Sequence, residues 1–184
     1  FEVIDKYSEK IPREINSMVH DFILSTDCKM DKRYRHIQNS FTSEWGVLND
    51  NERAWGRDVE FREETIYQCF DIKPDELIEA KILDAGCGHG EVIYSLFQSK
   101  MEIFAIDFSY SVDQIKNRLD SLEYESTVHL IQANLQEVPI INSSFDFIHC
   151  AGVLHHTHDT YKGFFELSKK VKPKGGVIGE LSPP

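Results

Sequence analysis

The sequence predicts an α/β protein whose strands form one doubly wound, mostly parallel sheet behind an N-terminal helical extension. The first observation is the stretch KILDAGCGHGEVIY at residues 81–94, where a short apolar run, three closely spaced glycines and a helical apolar pattern follow one another. The second is that apolar runs and helix-like segments alternate through the rest of the chain. Such alternation is typical of a parallel sheet covered by helices on both faces.

The composition restricts the class of protein. The chain has 184 residues and a formal net charge of −11, with 31 acidic and 20 basic side chains. We expect no nucleic-acid partner, because polyanion binding depends on clustered lysine and arginine. The four cysteines form no CxxC pair, which favours a reducing, cytoplasmic location, and we expect no membrane span. A start without methionine and an abrupt end predict a fragment of a longer protein, and the oligomeric state stays open.

Residues 1–72 are predicted to form a helical extension or lid. In chain order the predicted elements are a helix at 12–24, a polar and basic linker at 28–36, an irregular segment at 41–55 and a helix at 57–70. The linker is either a solvated connection or an anion-binding patch. Trp45 lies in the irregular segment, where a large aromatic needs burial at the core edge or against a ligand. Trp45 is therefore a candidate substrate or lid residue.

Residues 73–184 are predicted to form the ligand-binding domain. After the first strand, turn and helix, the predicted strands lie at 102–106, 128–132, 145–150 and 176–181, the helices at 111–122 and 160–171, and a turn KPKGG precedes the last strand. In doubly wound sheets ligands bind beyond the carboxyl ends of the strands, where strand order reverses. The glycines at 86–90 therefore predict a ligand there, although they could serve only a tight turn.

Acidic residues around the glycines predict the kind of ligand. Asp107 ends the second strand about 20 residues after Gly86, where a carboxylate can accept both hydroxyls of a ribose; alternatively it only caps the next helix. Glu91 replaces the last glycine of the dinucleotide fingerprint GxGxxG, and Asp84 also flanks the turn. These acids disfavour a pyrophosphate and favour a positively charged ligand. The pattern predicts an adenosine-bearing, cationic cofactor rather than a nicotinamide dinucleotide.

Five motifs in order resemble those of the class I S-adenosylmethionine-dependent methyltransferases. ILDAGCGHGE resembles their first motif, AIDFS the acidic end of their second strand, IQANLQEVPI and SFDFIHCAGVLHHT their third and fourth strand motifs, and KPKGGVIGEL the entry to their fifth strand. The resemblance covers residues 80–181 and is closest to the ubiquinone and menaquinone branch. It implies a Rossmann-like fold, here without the family's last two strands, with S-adenosyl-L-methionine as cofactor and S-adenosyl-L-homocysteine as product.

The resemblance also implies roles for the matching residues. Asp84 would face the methionyl amino group, Asp107 would hold the ribose hydroxyls, and Ala151 would begin the loop beside the transferable methyl. The other cofactor-binding residues that it implies are Gly86, Cys87, Gly88, Gly90, Phe108, Asn134 and Leu135. Asn134 stands where the family usually has an acid, so it would accept a hydrogen bond from the adenine amino group without charge assistance.

Three histidines follow the fourth predicted strand. His156 is a candidate general base because the methyl acceptor is expected to arrive there, and a structural role is the open alternative. His155 is a candidate substrate or lid residue. A metal site is not expected, because no cysteine or acid cluster completes a ligand set with His155, His156 and His158.

The sequence as a whole predicts an enzyme that transfers a methyl group to a small-molecule acceptor by direct in-line displacement. The acidic balance and the absence of a (D/N)PPY segment after the fourth strand favour a small metabolite, whose identity and acceptor atom stay open. The alternative is a module that binds the cofactor, is catalytically idle and acts through partners. The departure at Asn134 keeps this alternative open.

Overall fold

The computed structural model describes residues 24–25, 32–47, 59–96 and 99–180 of the chain. The strands are β1 (Leu24–Ser25), β2 (Lys81–Ala85), β3 (Glu102–Asp107), β4 (Thr127–Gln132), β5 (Phe145–Ala151) and β6 (Val171–Glu180). They form one sheet in the order β1-β4-β3-β2-β5-β6, and every neighbouring pair is parallel. The predicted α/β fold with a parallel sheet is therefore confirmed.

The strand order reverses at the middle of the sheet. The chain passes from β2 outward through β3 to β4, and then returns to place β5 and β6 on the other side of β2. The reversal lies between β2 and β5, and ligands bind in such folds beyond the carboxyl ends of the strands at this point. The residues that end β2, β3 and β5 are thus the ones that can meet a ligand.

Helices cover both faces of the sheet, as the alternating pattern predicts. They are α1 (Lys32–Val47), α2 (Val59–Phe70), α3 (Glu91–Leu96), α4 (Ser111–Leu119) and α5 (Thr160–Ser168). Successive side chains of β2 point to opposite faces. Ile82 packs in a buried cluster with residues of α2, α3 and α4, whereas Leu83 packs in another with Leu167 of α5. None of the described helices has both the length and the apolar character that crossing a membrane requires.

Helix α1 corrects the prediction for the N-terminal part of the chain. The expected linker at 28–36 and irregular segment at 41–55 are wrong where the structure describes them, because residues 32–47 form one helix. The aromatic and aliphatic residues of this segment do recur at helical spacing, but polar and turn-forming residues between them hide the pattern. The helix predicted at 12–24 lies outside the described residues, apart from Leu24, which is in β1.

Two helices end earlier than predicted. The helix α4 stops at Leu119, and Leu122 is 43% exposed instead of belonging to the inner face. The helix α5 stops at Ser168, and Val171 already begins β6. The predicted extension to residue 171 is therefore wrong. The prediction was wrong because Val171, the first residue of β6, is apolar and happens to continue the helical spacing of α5.

The sequence KPKGG lies inside β6, not before it. Residues 172–175 stand opposite the single residue Asp146 of β5, and Lys174 has a φ of +73°, so a bulge replaces the predicted turn. Lys172 Nζ lies 2.9 Å from both carboxylate oxygens of Asp146. A Cβ on Gly175 would lie 2.4 Å from the backbone oxygen of Asp146, so this close approach requires glycine. The turn-forming residues of KPKGG thus form a bulge within β6 and do not interrupt the strand.

Candidate functional site

The glycine turn joins β2 to α3 and is fixed to the neighbouring strand. Gly86, Gly88 and Gly90 all have positive φ angles, of 84°, 51° and 90°. The amides of Gly86 and Cys87 both donate to the carbonyl of Ile106 in β3, at 2.7 and 3.0 Å. The turn is therefore held against the end of β3, where Asp107 lies.

The close packing around two of these glycines explains why side chains are excluded. A Cβ on Gly86 would lie 2.4 Å from a methyl carbon of Val153. A Cβ on Gly90 would lie 3.0 Å from the Tyr94 ring and 3.1 Å from Ile115 of α4. Gly90 thus serves the packing of α3 against α4, while Gly86 lies at a cavity that Val153 also lines.

Asp107 ends β3 and organises the loop that follows. Its Oδ2 accepts from the Gly88 amide at 2.8 Å, and its Oδ1 accepts from the Ser109 amide at 2.8 Å and the Ser109 hydroxyl at 2.7 Å. The residue is 8% exposed. Burial raises the pKa of Asp107, partly offset by the hydrogen bonds from Ser109 and Gly88. Tyr110 and not Asp107 is the N-cap of α4, so the carboxylate does not cap that helix.

A cleft opens at the carboxyl ends of the strands, between the sheet and α1. Its empty volume, including the open mouth, is about 690 Å³. The lining residues are Ile37, Gln38, Phe41, Gly86, Asp107, Phe108, Ser109, Asn134, Leu135, Gly152, Val153, His156, Thr157 and His158. Five predicted cofactor residues and the candidate base His156 therefore share one cleft.

Helix α1 closes one side of this cleft through specific contacts. Gln38 is 4% exposed, and its Nε2 donates to the carbonyl of Phe108 at 2.8 Å. The hydroxyl oxygen of Thr42 accepts from the Tyr110 amide at 3.2 Å. Phe41 meets the His156 ring edge to face, with centroids 5.1 Å apart. These contacts fix α1 to the loop after β3 and to the segment after β5.

Asn134 and Leu135 form the floor beside Asp107. The Asn134 side-chain oxygen accepts from the Gln136 amide at 2.9 Å and so caps the short 3-10 helix Leu135–Glu137. Gln136 Nε2 in turn donates to the carbonyl of Asp159 at 3.0 Å, which ties this turn to the start of α5. The capping bond uses one lone pair of the Asn134 oxygen and leaves the second for another donor.

Of the three histidines after β5, two line the cleft and the third, His155, is half-buried beside them. His156 and His158 line the cleft. The ring of His155 stacks at a tilt on that of His156, with centroids 4.0 Å apart, and its Nδ1 is buried without a hydrogen-bond partner among the described residues. In the ranges that the structure describes, no three His, Cys, Asp or Glu side chains are arranged to hold a metal ion.

Six predicted residues do not line the cleft itself, namely Asp84, Cys87, Gly88, Gly90, Ala151 and His155. Asp84 lies beneath the turn, where its Oδ1 is 3.0 Å from Nδ1 of His149. Trp45 is in α1, and its side chain is outside the described part of the structure. The sequence did not predict three further contacts. His149 meets Asp84 through the register of β5 on β2, and Gln38 belongs to a helix that the sequence does not reveal. Val153 packs where a Cβ on Gly86 would lie.

The cysteines near the turn are packing groups in this structure. Cys87 and Cys150 are buried, and neither is in a disulfide. Burial, with the nearby charge of Asp84, raises the pKa of Cys150 to about 12. Burial, with the charges of Asp107 and Asp84, also raises the pKa of Cys87. Both thiols therefore stay protonated and are poor nucleophiles at neutral pH.

Comparison with known proteins assigns the chain to a family. Residues 83–179, more than half of the chain, match the family described as "Methyltransferase domain". A similar curated protein is the demethylmenaquinone methyltransferase of Bacillus mycoides, 26% identical over 152 residues, which cover 80% of this chain and 61% of that protein. An uncharacterised Synechococcus protein is 35% identical over 106 residues, which cover 56% of this chain and 25% of that protein. The chain thus spans less than two thirds of either relative.

A solved structure gives the same fold. The S-adenosylmethionine-dependent methyltransferase from Aquifex aeolicus superposes with a TM-score of 0.57 at 23% identity, over 72% of this chain and 68% of that one. The family match, the strand order and the glycine turn followed by Asp107 all point to the same kind of protein. The chain belongs to this methyltransferase family, and its fold is that of the S-adenosylmethionine-dependent methyltransferase from Aquifex aeolicus.

Proposed function

We propose that this protein transfers a methyl group from S-adenosyl-L-methionine to a small-molecule acceptor. The observation that carries the proposal is the Asp107 carboxylate at the end of β3, held by Gly88 and Ser109 beside a cleft of about 690 Å³. Among the described residues, its Oδ2 accepts only from the Gly88 amide and keeps a lone pair for a ribose hydroxyl, the group that a carboxylate at this position in a doubly wound sheet binds. A relative named for its action on demethylmenaquinone supports a small-molecule acceptor.

The residues present fit this cofactor. Asp107 would hold the ribose, Phe108 and Leu135 would contact the adenine, and Asn134 offers its second lone pair to the adenine amino group. The buried Oδ2 of Asp84 has no partner among the described residues, so it is an acceptor for a cationic group such as the methionyl ammonium. Polar groups for the adenosine end therefore line the cleft, and the acceptor for the amino-acid end, Asp84, lies just outside its lining.

When bound, the cofactor supplies an electrophilic methyl group on a sulfonium, so that an acceptor atom can displace it in line. The chain's own contribution is to position the two reactants and to exclude water. Helix α1 serves the second purpose, because Gln38 and Thr42 fix it over the loop after β3. His156 lines the cleft and is the proposed general base where the acceptor must lose a proton.

We assign the lid to residues 1–72 and the cofactor domain to residues 73–184. The contacts of Ile37, Gln38 and Phe41 with the cleft support the lid role of this part. Trp45 is on the same helix, and His155 stacks on His156, so both remain candidates for acceptor contacts. The three described cysteines are free, which supports a reducing, cytoplasmic setting.

The test combines binding and turnover. Calorimetry should show binding of S-adenosylhomocysteine and none of NAD, and incubation of labelled S-adenosylmethionine with a metabolite extract should yield a labelled small molecule. Asp107→Ala should weaken S-adenosylhomocysteine binding by at least tenfold, because a hydrogen bond to a charged acceptor is lost, worth ~1.5–3 kcal/mol. Cofactor binding without any labelled product would instead favour an idle binding module.

Matched variants separate this loss from unfolding. Asp113→Ala removes an exposed aspartate from the adjacent helix α4 and should leave the affinity unchanged. Asp107→Asn keeps the size of the side chain and should still lose affinity, and its circular dichroism should match that of the unmodified protein. An Asp107→Asn protein that is folded and binds as tightly as the unmodified protein would contradict the ribose assignment.

The dependence of ligand affinity on pH in the acidic range tests the same site in a second way. The ionised carboxylate only accepts hydrogen bonds and is therefore the better partner for a ribose hydroxyl, and burial raises the pKa of Asp107. Affinity for S-adenosylhomocysteine should therefore fall as the pH drops through this raised pKa, starting above the usual range of about 4 for aspartate. Calorimetry across the acidic range should show this fall in the unmodified protein and in Asp113→Ala, and a smaller one in Asp107→Asn.

A further inference from the structure

Buried Asp84 and half-buried His149 form a pair across the point where the strand order reverses. They face each other in the register of β2 and β5. His149 Nδ1 lies 3.0 Å from Asp84 Oδ1. Asp84 is 1% exposed and the His149 side chain 19% exposed. The Asp84 carboxylate therefore lies in the protein interior, just before the glycine turn, and the half-buried His149 lies beside it.

The pair leaves one carboxylate oxygen for another donor. Because a carboxylate oxygen only accepts, Nδ1 of His149 carries the hydrogen and donates it to Oδ1. The second oxygen, Oδ2, is fully buried, and no described residue donates to it. A buried acceptor without a donor is costly. A ligand with an N–H donor or a positive charge gains by satisfying it.

The single hydrogen bond also restricts the direction of this free oxygen. An aspartate side chain can otherwise turn about its last bond, which is a broad torsion. The bond to His149 fixes which oxygen faces the neighbouring strand, and hence where Oδ2 points. Asp84 belongs to the same buried surroundings as Cys87 and Cys150, since its charge acts on the pKa of both thiols. A thiol is only a weak hydrogen-bond donor, so neither cysteine can replace a ligand N–H as the partner of Oδ2.

We propose that His149 is a positioning residue for the amino-acid end of the cofactor. It holds Asp84 through Oδ1 so that Oδ2 accepts from the methionyl ammonium, directly or through one water. His149 makes no contact with the cofactor in this arrangement. The inference rests on the proposed function and adds to it a residue outside the glycine turn and the cleft lining.

Two ligands distinguish a positioning role from a packing role. S-adenosylhomocysteine and 5′-methylthioadenosine share the adenosine and the sulfur, but the second lacks the amino acid. His149→Phe keeps a ring of similar size and removes the donor. It should weaken S-adenosylhomocysteine binding about tenfold, as expected for ~1.4 kcal/mol, and change the methylthioadenosine affinity less than twofold.

A conservative variant and a matched control complete the experiment. His149→Asn places an amide donor near the position of Nδ1 and should restore most of the S-adenosylhomocysteine affinity. His129→Phe removes a second half-buried histidine that pairs with a carboxylate, Glu102, at 3.0 Å on the amino side of the sheet. It should leave both affinities unchanged, whatever it does to stability.

The outcomes separate the inference from the proposed function. If His149→Phe weakens both ligands equally or neither, or if His149→Asn fails to restore binding, His149 has no positioning role and the inference is overturned. The proposed function survives that result, since the unmodified protein still binds both ligands. If the unmodified protein binds neither ligand, the proposed function is overturned, and the inference with it.

Discussion

Gly86 is under two separate constraints, one from its backbone and one from its surroundings. Its φ of +84° disfavours any side chain, and Val153 occupies the space that a Cβ would need. Gly152 has a similar φ of +70° but no atom within 4 Å of its Cβ position. The two glycines therefore share the backbone cost and differ in the steric one.

Gly86→Ala should destabilise the protein by about 2–5 kcal/mol, the sum of a backbone cost of ~1–2 and an overpacking cost of ~1–3. Gly152→Ala should lose only the backbone part, because its surroundings are open. Urea unfolding followed by circular dichroism measures both. A loss at Gly86 no larger than that at Gly152 would contradict the steric account. The cycle with Val153→Ala should show a favourable coupling, since the methyl groups in contact are removed.

Individual site residues differed in how far the sequence could predict them. Asp107 is predictable because its distance along the chain from the glycine turn is set by one strand-turn-helix unit. His149 is not, because its partner is decided by the register of β5 on β2, and a shift of one residue would turn its side chain to the opposite face. Gln38 depends in turn on a helix that the sequence did not reveal.

Helix α1 is the element in which local and tertiary effects differ most. Its polar and turn-forming residues predict irregular structure, yet it forms four turns over the cleft. Ile37 and Phe41 lie on the face that lines the cleft, and Gln38 and Thr42 bond to the loop after β3. Packing against the site therefore stabilises a helix that intrinsic propensity alone does not predict.

Gln38→Ala should accelerate release of S-adenosylhomocysteine about fivefold. The variant removes the hydrogen bond to the Phe108 carbonyl, worth ~1 kcal/mol, and so weakens the attachment of α1. Stopped-flow displacement of the bound ligand measures the rate. Asn39→Ala, at an exposed neighbouring position of the same helix, should release the ligand at the unmodified rate. Equal rates for both variants would show that α1 does not retain the ligand.

In helix α1 the sequence predicts irregular structure where the chain is regular. In strand β6 the predicted turn does form, but it does not end the element. The strong turn signal of KPKGG is real, since Lys174 has a left-handed backbone conformation and residues 172–175 form a bulge. The strand nevertheless continues on both sides, because Lys172 and the amide of Lys81 both bond to Asp146. Turn chemistry predicts the local conformation correctly and the boundary of the element wrongly.

At the scale of the molecule, the sheet order and its two buried clusters follow from the alternation of strands and helices. Leu83, Phe104 and Ile148 pack on one face of the sheet, and Ile82 and Ile103 on the other. This much was predictable, because apolar runs of strand length between helical segments leave few other arrangements. The small strand β1 was not, since two residues carry no periodic signal.

The reaction rates of the three described thiols measure whether this fold is intact. Cys69 is exposed on α2, whereas Cys87 and Cys150 are buried and burial raises the pKa of both. N-ethylmaleimide should label Cys69 first, and the buried pair only as the fold opens. Peptide mass spectrometry resolves the sites. S-adenosylhomocysteine at about 100 times its dissociation constant should slow labelling of the buried pair about 100-fold, because it binds the folded form.

The control for this labelling is the protein in denaturant, where all three thiols should react at similar rates. Cys69→Ser removes the fast-reacting site and should leave the slow rates unchanged. If Cys150 in the native protein reacted as quickly as Cys69, the buried arrangement of β5 would be contradicted.

The carbonyl of Ile106 accepts two successive amides of the glycine turn. Because both bonds come from the protein, the turn keeps its shape whether or not a ligand is present. A ligand that arrives there pays little conformational entropy for ordering this loop. Association should then be governed by the opening of α1 and by desolvation of Asp107, so its calorimetric signature should contain little loop folding.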